Sequence, residues 1–187
     1  MALNDANVAV GVTGAVMVGA VGATAPTGTA SATTGHVDLG WVGEDGVTIA
    51  LPGTGDAEQI KGWQNGATVR TIRSSSDDNP TVSFVLLETN KDAVELWAGT
   101  TVTQSSTEGN YEVDTQNQRV HKSLIVTVVD GANIRRDHIP RGIVSEVGDL
   151  VYANGSAIGY EVTIDCERDS TLGYNIKTWD TRLKTVA

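Results

Sequence analysis

Tyr160-Glu161-Val162-Thr163-Ile164-Asp165-Cys166-Glu167 alternates without a break. Tyr160, Val162, Ile164 and Cys166 fall on one parity, and Glu161, Thr163, Asp165 and Glu167 on the other. Successive side chains of a strand point to opposite faces, so this spacing makes a strand with one apolar face and one acidic face. Such a strand belongs to an antiparallel sheet that has a core on one side only. Residues 81–88 repeat the pattern, with Val82, Phe84 and Leu86 opposite Thr81, Ser83 and Val85. Residues 124–129 read as a strand ending at Asp130-Gly131. Residues 143–152 and 157–167 flank Asn154-Gly155, which predicts a hairpin. Residues 38–51 read as a strand broken at Glu44-Asp45-Gly46. Residues 60–72 read as another, with a turn or bulge at Asn65-Gly66. Residues 52–56 have loop chemistry, and residues 74–80 form a polar connection.

One helix is expected, over residues 89–99. Thr89 and Asp92 have the spacing of a capping box, Ala93, Val94 and Trp97 share a helical face, and Gly99 suits the position that ends a helix. A helix of about three turns persists only when packed on the rest of the fold.

Composition agrees with a mainly β chain. The 187 residues suit one domain plus arms. With one Phe, four Trp and four Tyr, the core must be built from Val, Ile, Leu and Ala. The formal net charge of −10 argues against a protein that grips nucleic acid, which would neutralise phosphates with Lys and Arg. It is compatible with one that lets DNA pass. The single cysteine, Cys166, excludes an internal disulfide.

Residues 6–37 hold no Asp, Glu, Lys or Arg. The length would allow a membrane span, but Gly11, Gly14, Gly19 and Gly22 interrupt it, Leu, Ile and Phe are absent, and no basic start precedes it. Val8, Val10, Val12, Val16 and Val18 share one parity, which predicts a strand-forming N-terminal arm that packs on protein, followed by a turn region around Pro26 and Gly28. At the other end, residues 170–187 carry Lys177, Arg182 and Lys184 against Asp180 alone. This basic tail suits docking on an acidic neighbour, in which case salt weakens the contact.

Catalytic and metal-binding patterns find no support. His36, His121 and His138 have no short zinc spacing among them. Arg135-Arg136-Asp137-His138 reads as a solvated or interface charge patch. Nucleophile elbows and phosphate loops are missing, and Cys166 alternates with apolar residues as a packed thiol does. No cofactor or metal site is predicted.

Three segments taken together carry a family resemblance. They are Val10-Gly11-Val12-Thr13-Gly14-Ala15, the run from Asp38 through Leu39-Gly40-Trp41-Val42-Gly43-Glu44-Asp45-Gly46 to Val47, and Ile60-Lys61-Gly62-Trp63-Gln64-Asn65-Gly66 followed by Val69-Arg70-Thr71. With Phe84 to Asn90, Lys91, Val94, Glu95 and Leu96, they resemble the major tail tube proteins of long, non-contractile-tailed phages, particularly those of actinobacterial hosts. The chain departs from that pattern at Met17-Val18-Gly19 and at Trp41.

The resemblance implies a β-sandwich or barrel-like protomer with one short flanking α-helix and extended N- and C-terminal arms. It implies a structural virion protein, assembled in the host cytoplasm into stacked, commonly hexameric rings that form a hollow tube for genome delivery. Residues 1–37 then form the N-terminal arm, residues 38–169 the tube domain, and residues 170–187 the C-terminal arm. Arm contacts fall to Val8, Val10, Val12, Val16, Val18, Lys177, Trp179, Arg182 and Lys184. The ring-stacking loop includes Pro52, Gly53, Asp56, Glu58 and Lys61. The partners implied are further copies of the chain, a tape-measure protein, a tail terminator and baseplate proteins, with DNA passing unbound and no membrane insertion. Glu161, Thr163, Asp165 and Glu167 are the candidate lumen row, because acidic side chains repel phosphates. The alternatives are another β-rich phage component (neck, head decoration or baseplate) and a secreted adhesion or carbohydrate-binding module.

Overall fold

The computed structural model describes residues 7–53, 57–73, 78–114, 116 and 118–184. Six strands precede the helix: β1 (Thr13–Ala20), β2 (His36–Asp38), β3 (Val42–Ala50), β4 (Ala57–Lys61), β5 (Thr68–Arg73) and β6 (Thr81–Leu86). The helix α1 spans Lys91–Ala98. After it come β7 (Thr103–Gln104), β8 (Gly109–Asn110), β9 (Lys122–Asp130), β10 (Asn133–Val147), β11 (Tyr160–Cys166) and β12 (Lys177–Asp180), then a 3-10 turn at Thr181–Leu183.

The main sheet has eight strands in the order β2-β1-β9-β10-β11-β6-β3, with β12 also pairing β10. Its pairings are all antiparallel. The two ends of this order, β2 and β3, are consecutive in sequence. The chain leaves one end of the sheet at Asp38 and joins the other at Val42, so the sheet curls back on itself like a barrel. Leu39 lies fully buried at the crossing; its N–H donates to Val16 O at 2.9 Å, and Leu87 N–H donates to Trp41 O at 2.8 Å. Gly40 follows at φ 86°, and a Cβ there would sit 2.4 Å from the Glu88 carboxyl carbon. The positive φ is what favours glycine at this corner, since the Glu88 carboxyl ends a flexible side chain that can move aside.

Alternation along the strands builds the interior. Val82, Phe84 and Leu86 of β6 meet Val162, Ile164 and Cys166 of β11, Leu124 and Val126 of β9, and Val16 and Val18 of β1 in one core. Each such side chain contributes about 1.5–3 kcal/mol when fully buried. The helix adds Ala93, Val94 and Leu96 and packs on β11 and β10. Trp97 meets Tyr160 edge to face at 5.6 Å, and its indole N–H donates to Gly148 O.

Several expectations are corrected. The helix starts at Lys91 rather than at the predicted box. Asn90 is the cap, its Oδ1 accepting from Ala93 N–H at 2.9 Å, while the Thr89 hydroxyl lies 3.0 Å from Tyr160 Oη. The helix is eight residues, about two turns, ending at Gly99 with φ 70°. Arg135-Arg136-Asp137-His138 is a surface patch only at Arg135, which is exposed, while Arg136 is half-buried. It lies in β10 between β9 and β12, and Asp137 and His138 are each 1 % exposed. The strand anticipated from residue 143 begins at Asn133, just after the Asp130-Gly131 turn, and Pro140 sits where its register against β9 shifts between Ile139 and Gly142. Proline donates no ladder bond, so it occupies the irregularity. Residues 148–159 separate β10 from β11 in place of a tight hairpin, although Asn154-Gly155 does turn there, with Gly155 at φ 80°.

Candidate assembly surfaces

The outward face of β11 carries Glu161, Thr163 and Asp165 beside Val85, Ser83 and Thr81 of β6; Thr48 and Ala50 of β3 continue the rows. None of the three strands contains a lysine or arginine, and they include Glu44, Asp45, Glu161 and Asp165. The Ser145 hydroxyl donates to Asp165 Oδ1 at 2.8 Å, which orients that carboxylate without neutralising it. Glu167 departs from the row. It lies past the end of β11, accepts from Arg141 Nε at 2.9 Å and approaches His121 Nε2 at 3.0 Å. The Arg141 hydrogen bond holds its carboxyl below the usual range. The acidic face thus ends at Asp165.

The residues expected to be a loop at 51–61 include a strand. Glu58 and Lys61 belong to β4, which among the described residues pairs only with β5 in a separate two-stranded sheet. Pro52 and Gly53 lead into it, both exposed, and Asp56 lies outside the described residues. The turn between β4 and β5 is well braced: Gly62 N–H donates to Ala67 O, Gly66 N–H to Gly62 O, and Ala67 N–H to Asn65 Oδ1. Trp63, at this tip, is 96 % exposed. An isolated two-stranded hairpin is marginal in water, so one built with an exposed indole is suited to a covering partner.

The uncharged N-terminal stretch divides in two. Residues 13–20 are β1, paired with β9 along its whole length, with Val16 and Val18 in the core. Val8, Val10 and Val12 precede the strand and are exposed; there, Val10 N–H donates to Asp130 Oδ2 at 3.1 Å. The single strand expected from Val8 onward therefore begins five residues later. The basic tail also folds onto its own chain. β12 pairs with β10, placing Lys177 opposite His138 and Trp179 opposite Arg136. Lys177 Nζ lies 5.1 Å from the Trp179 ring centroid. Arg182 pairs with Asp130 and lies 3.8 Å from Asp180 Oδ1, with its side chain only 9 % exposed. Its charge is matched within the protomer, leaving exposed Lys184 as the tail cation beyond it.

A buried polar chain escaped the sequence reading. His36 Nε2 lies 3.0 Å from Ser123 Oγ, which lies 3.2 Å from His138 Nε2; His138 Nδ1 lies 3.1 Å from Tyr174 Oη. These residues come from β2, β9, β10 and the approach to β12, so no local spacing signalled them. A serine between two histidines has nucleophile chemistry in principle, but Ser123 and His138 are each 1 % exposed and closed to substrate. Burial lowers the His138 pKa to about 4, with nearby His36 adding to the effect, and keeps the ring neutral. Burial also raises the Cys166 thiol to about 12, as suits a packed residue. No cluster of three or more His, Cys, Asp or Glu side chains suited to a metal occurs among the described residues.

A curled antiparallel sheet, a cation-free face and a projecting hairpin describe a building block. A family model described as a phage tail tube protein matches residues 1–179. The chain belongs to the phage tail tube protein family. No individually curated protein matches it. As a tail tube protein it is a structural component of the virion tail, and it assembles with further copies of itself. None of the helices among the described residues is long and apolar enough to cross a membrane. The expectations of a mainly β fold with one short helix and of a tail tube role are both borne out.

Proposed function

We propose that this tail tube protein joins head-to-tail into closed rings, hexameric as in the long non-contractile tails it resembles, and that the outer face of β3, β6 and β11 lines the bore. The observation that carries this reading is the lack of any lysine or arginine in those strands, beside the outward carboxylates of Glu161 and Asp165. A bore of that charge repels the phosphates of passing DNA and avoids counterion-release binding. Heterologous contacts close into a ring when the rotation between copies divides a full turn. Unpaired strand edges favour such closure, since an edge left open invites uncontrolled pairing.

The β4–β5 hairpin, with Pro52, Gly53 and Asp56 before it, is the element for contact between rings. Val8, Val10, Val12 and Lys184 serve as terminal contacts with neighbouring subunits. A tape-measure protein occupies the bore during assembly, and terminator and baseplate proteins close the two ends. DNA passes without specific binding.

The test is electron microscopy of the purified polymer together with the variant Glu161→Lys/Asp165→Lys. Stacked rings with β11 facing the bore support the reading. Tubes of the variant should retain duplex DNA at low salt and release it as salt rises, whereas wild-type tubes should not retain it. If the variant retains no more DNA than wild type, the face is not the lining.

A further inference from the structure

Between β1 and β3 the curled sheet leaves an open cleft of about 900 Å³. The two strands present unpaired edges to it. Among the described residues β3 pairs only with β6, and β2 covers β1 only from Met17 to Gly19, leaving Thr13 to Ala15 without a second strand partner there. The lining is apolar at Val16, Val42, Val47, Ile49 and Val126. Its charged members are Asp38, Glu44, Asp45, Glu88, Asp137 and Arg135, a net of −4. Arg135 is already paired with Asp137 at 3.1 Å, so the cleft presents carboxylates with no free cation among its lining residues.

The same chain carries a complementary element. Residues 57–73 hold Lys61, Arg70 and Arg73 against Glu58 alone, a net of +2 on a protein of −10. Lys61 flanks the tip and Arg70 stands opposite Ile60, so both lie close to Trp63 along the hairpin. The tip is braced by its own backbone bonds, which reduces the ordering entropy of docking. Apolar anchors seated in a pocket with charged surroundings are the usual source of binding energy, and tryptophan is among the commonest.

We propose that the cleft between β1 and β3 receives the tip of the β4–β5 hairpin of a second copy, with Trp63 on the apolar floor and Lys61 and Arg70 against the acidic rim. This rests on the self-assembling reading above and names the receptor for the hairpin. The pairing is heterologous, donor hairpin to acceptor cleft, so it propagates from copy to copy. The opposite charges also steer the encounter, which makes assembly faster at low salt.

Two experiments test it on the full chain. In the first, Gln64→Cys protein is mixed with Thr13→Cys protein under polymerising conditions and treated with a short bismaleimide; Cys166 is buried and does not compete. A linked pair of chains, absent when either variant is treated alone, is expected. Absence of the pair in assembled material, or a link formed only within one chain of the double variant, would overturn the proposal. In the second, Trp63→Ala, Lys61→Glu/Arg70→Glu and Glu44→Lys/Asp45→Lys should each raise the protein concentration needed for polymerisation at least tenfold. Combining the two charge reversals in one chain should recover most of the loss. Wild-type assembly by Trp63→Ala, or no recovery in the combined variant, would refute the cleft as acceptor. Folding of each variant is checked by circular dichroism. Tubes without the cross-link remove the cleft inference and leave the tube reading intact; the cross-link in material without stacked rings does the reverse.

Discussion

Acidification should unload the buried His36–Ser123–His138–Tyr174 chain, and His138 sets the size of the effect. Burial is the main cause of its pKa of about 4, against 6.5 for an exposed imidazole, and His36 and Lys177 add to the lowering while Asp169 opposes it. Between these two values the unfolded chain binds a proton that the folded chain refuses. Stability from this group is therefore complete above pH 6.5, falls as pH drops through the window and levels off near pH 4. A gap of this size corresponds to about 3 kcal/mol at 1.36 kcal/mol per unit. For a domain of this length that is on the order of 10 °C in Tm. His36 is lowered by burial as well, and Glu167 loses its favourable Arg141 bond on protonation, so the raw curve contains more than one group. The comparison that isolates His138 is His138→Gln, which keeps an amide donor and acceptor but cannot titrate. Urea unfolding of unassembled protein is measured from pH 7.5 to pH 4. The variant starts lower at neutral pH, and the two curves should converge by about 3 kcal/mol on acidification. Parallel curves would refute the reasoning, as would an NMR titration that places the folded His138 midpoint near 6.5.

Removing residues 1–34 should unfold the protein, because β1 and its buried Val16 and Val18 go with them, whereas removing residues 1–12 should leave a folded protomer; circular dichroism melts separate the two. This replaces the expectation, natural from the uncharged sequence, that the whole segment is a detachable arm. Arg182→Ala should cost about 2–3 kcal/mol, since it strips the partner from Asp130 and Asp180 around a nearly buried guanidinium. A loss below about 0.5 kcal/mol in urea unfolding would place that pair among ordinary surface pairs. Asn90→Ala should cost about 1 kcal/mol by opening the first turn of α1, while Thr89→Val should leave the cap itself intact. Equal and small losses for both would argue against Asn90 as the cap.

Much of the strand framework was legible because period-two alternation is local. Tyr160–Cys166 and Thr81–Leu86 follow their apolar parity without exception, since each has one face on the core and the other outward. β10 was hidden for the opposite reason. Arg135 and Arg136 sit in it beside a fully buried Asp137, and their charges are met by partners on the strand itself, on neighbouring strands and on the connection after β1: Arg135 pairs with Asp137, Arg136 donates to Thr127, Gly28 and Ser31, and the Thr178 hydroxyl donates to Asp137. A charge cluster reads as surface until its partners are known.

The candidate surfaces divide in the same way. The acidic face of β11 was visible in eight residues, but only the register with β6 and β3 shows it widening across three strands that hold no lysine or arginine. Trp63 was visible as part of a turn motif. Its exposure, and the cleft between two unpaired edges on the same molecule, depend on which strands pair and which do not. The basic tail was legible as charge, yet Arg182 is satisfied within the protomer.

Taken alone, the sequence determined the β character, the faces of its strongest strands, the short helix and the acidic balance, because alternation, capping and charge are properties of neighbouring residues. The tertiary structure decided how the chain from His36 to Ala50 closes the sheet, which buried polar groups find one another, and where two edges stay open. Those depend on contacts between residues far apart in the chain, where pairing and burial, rather than local preference, set the free energy.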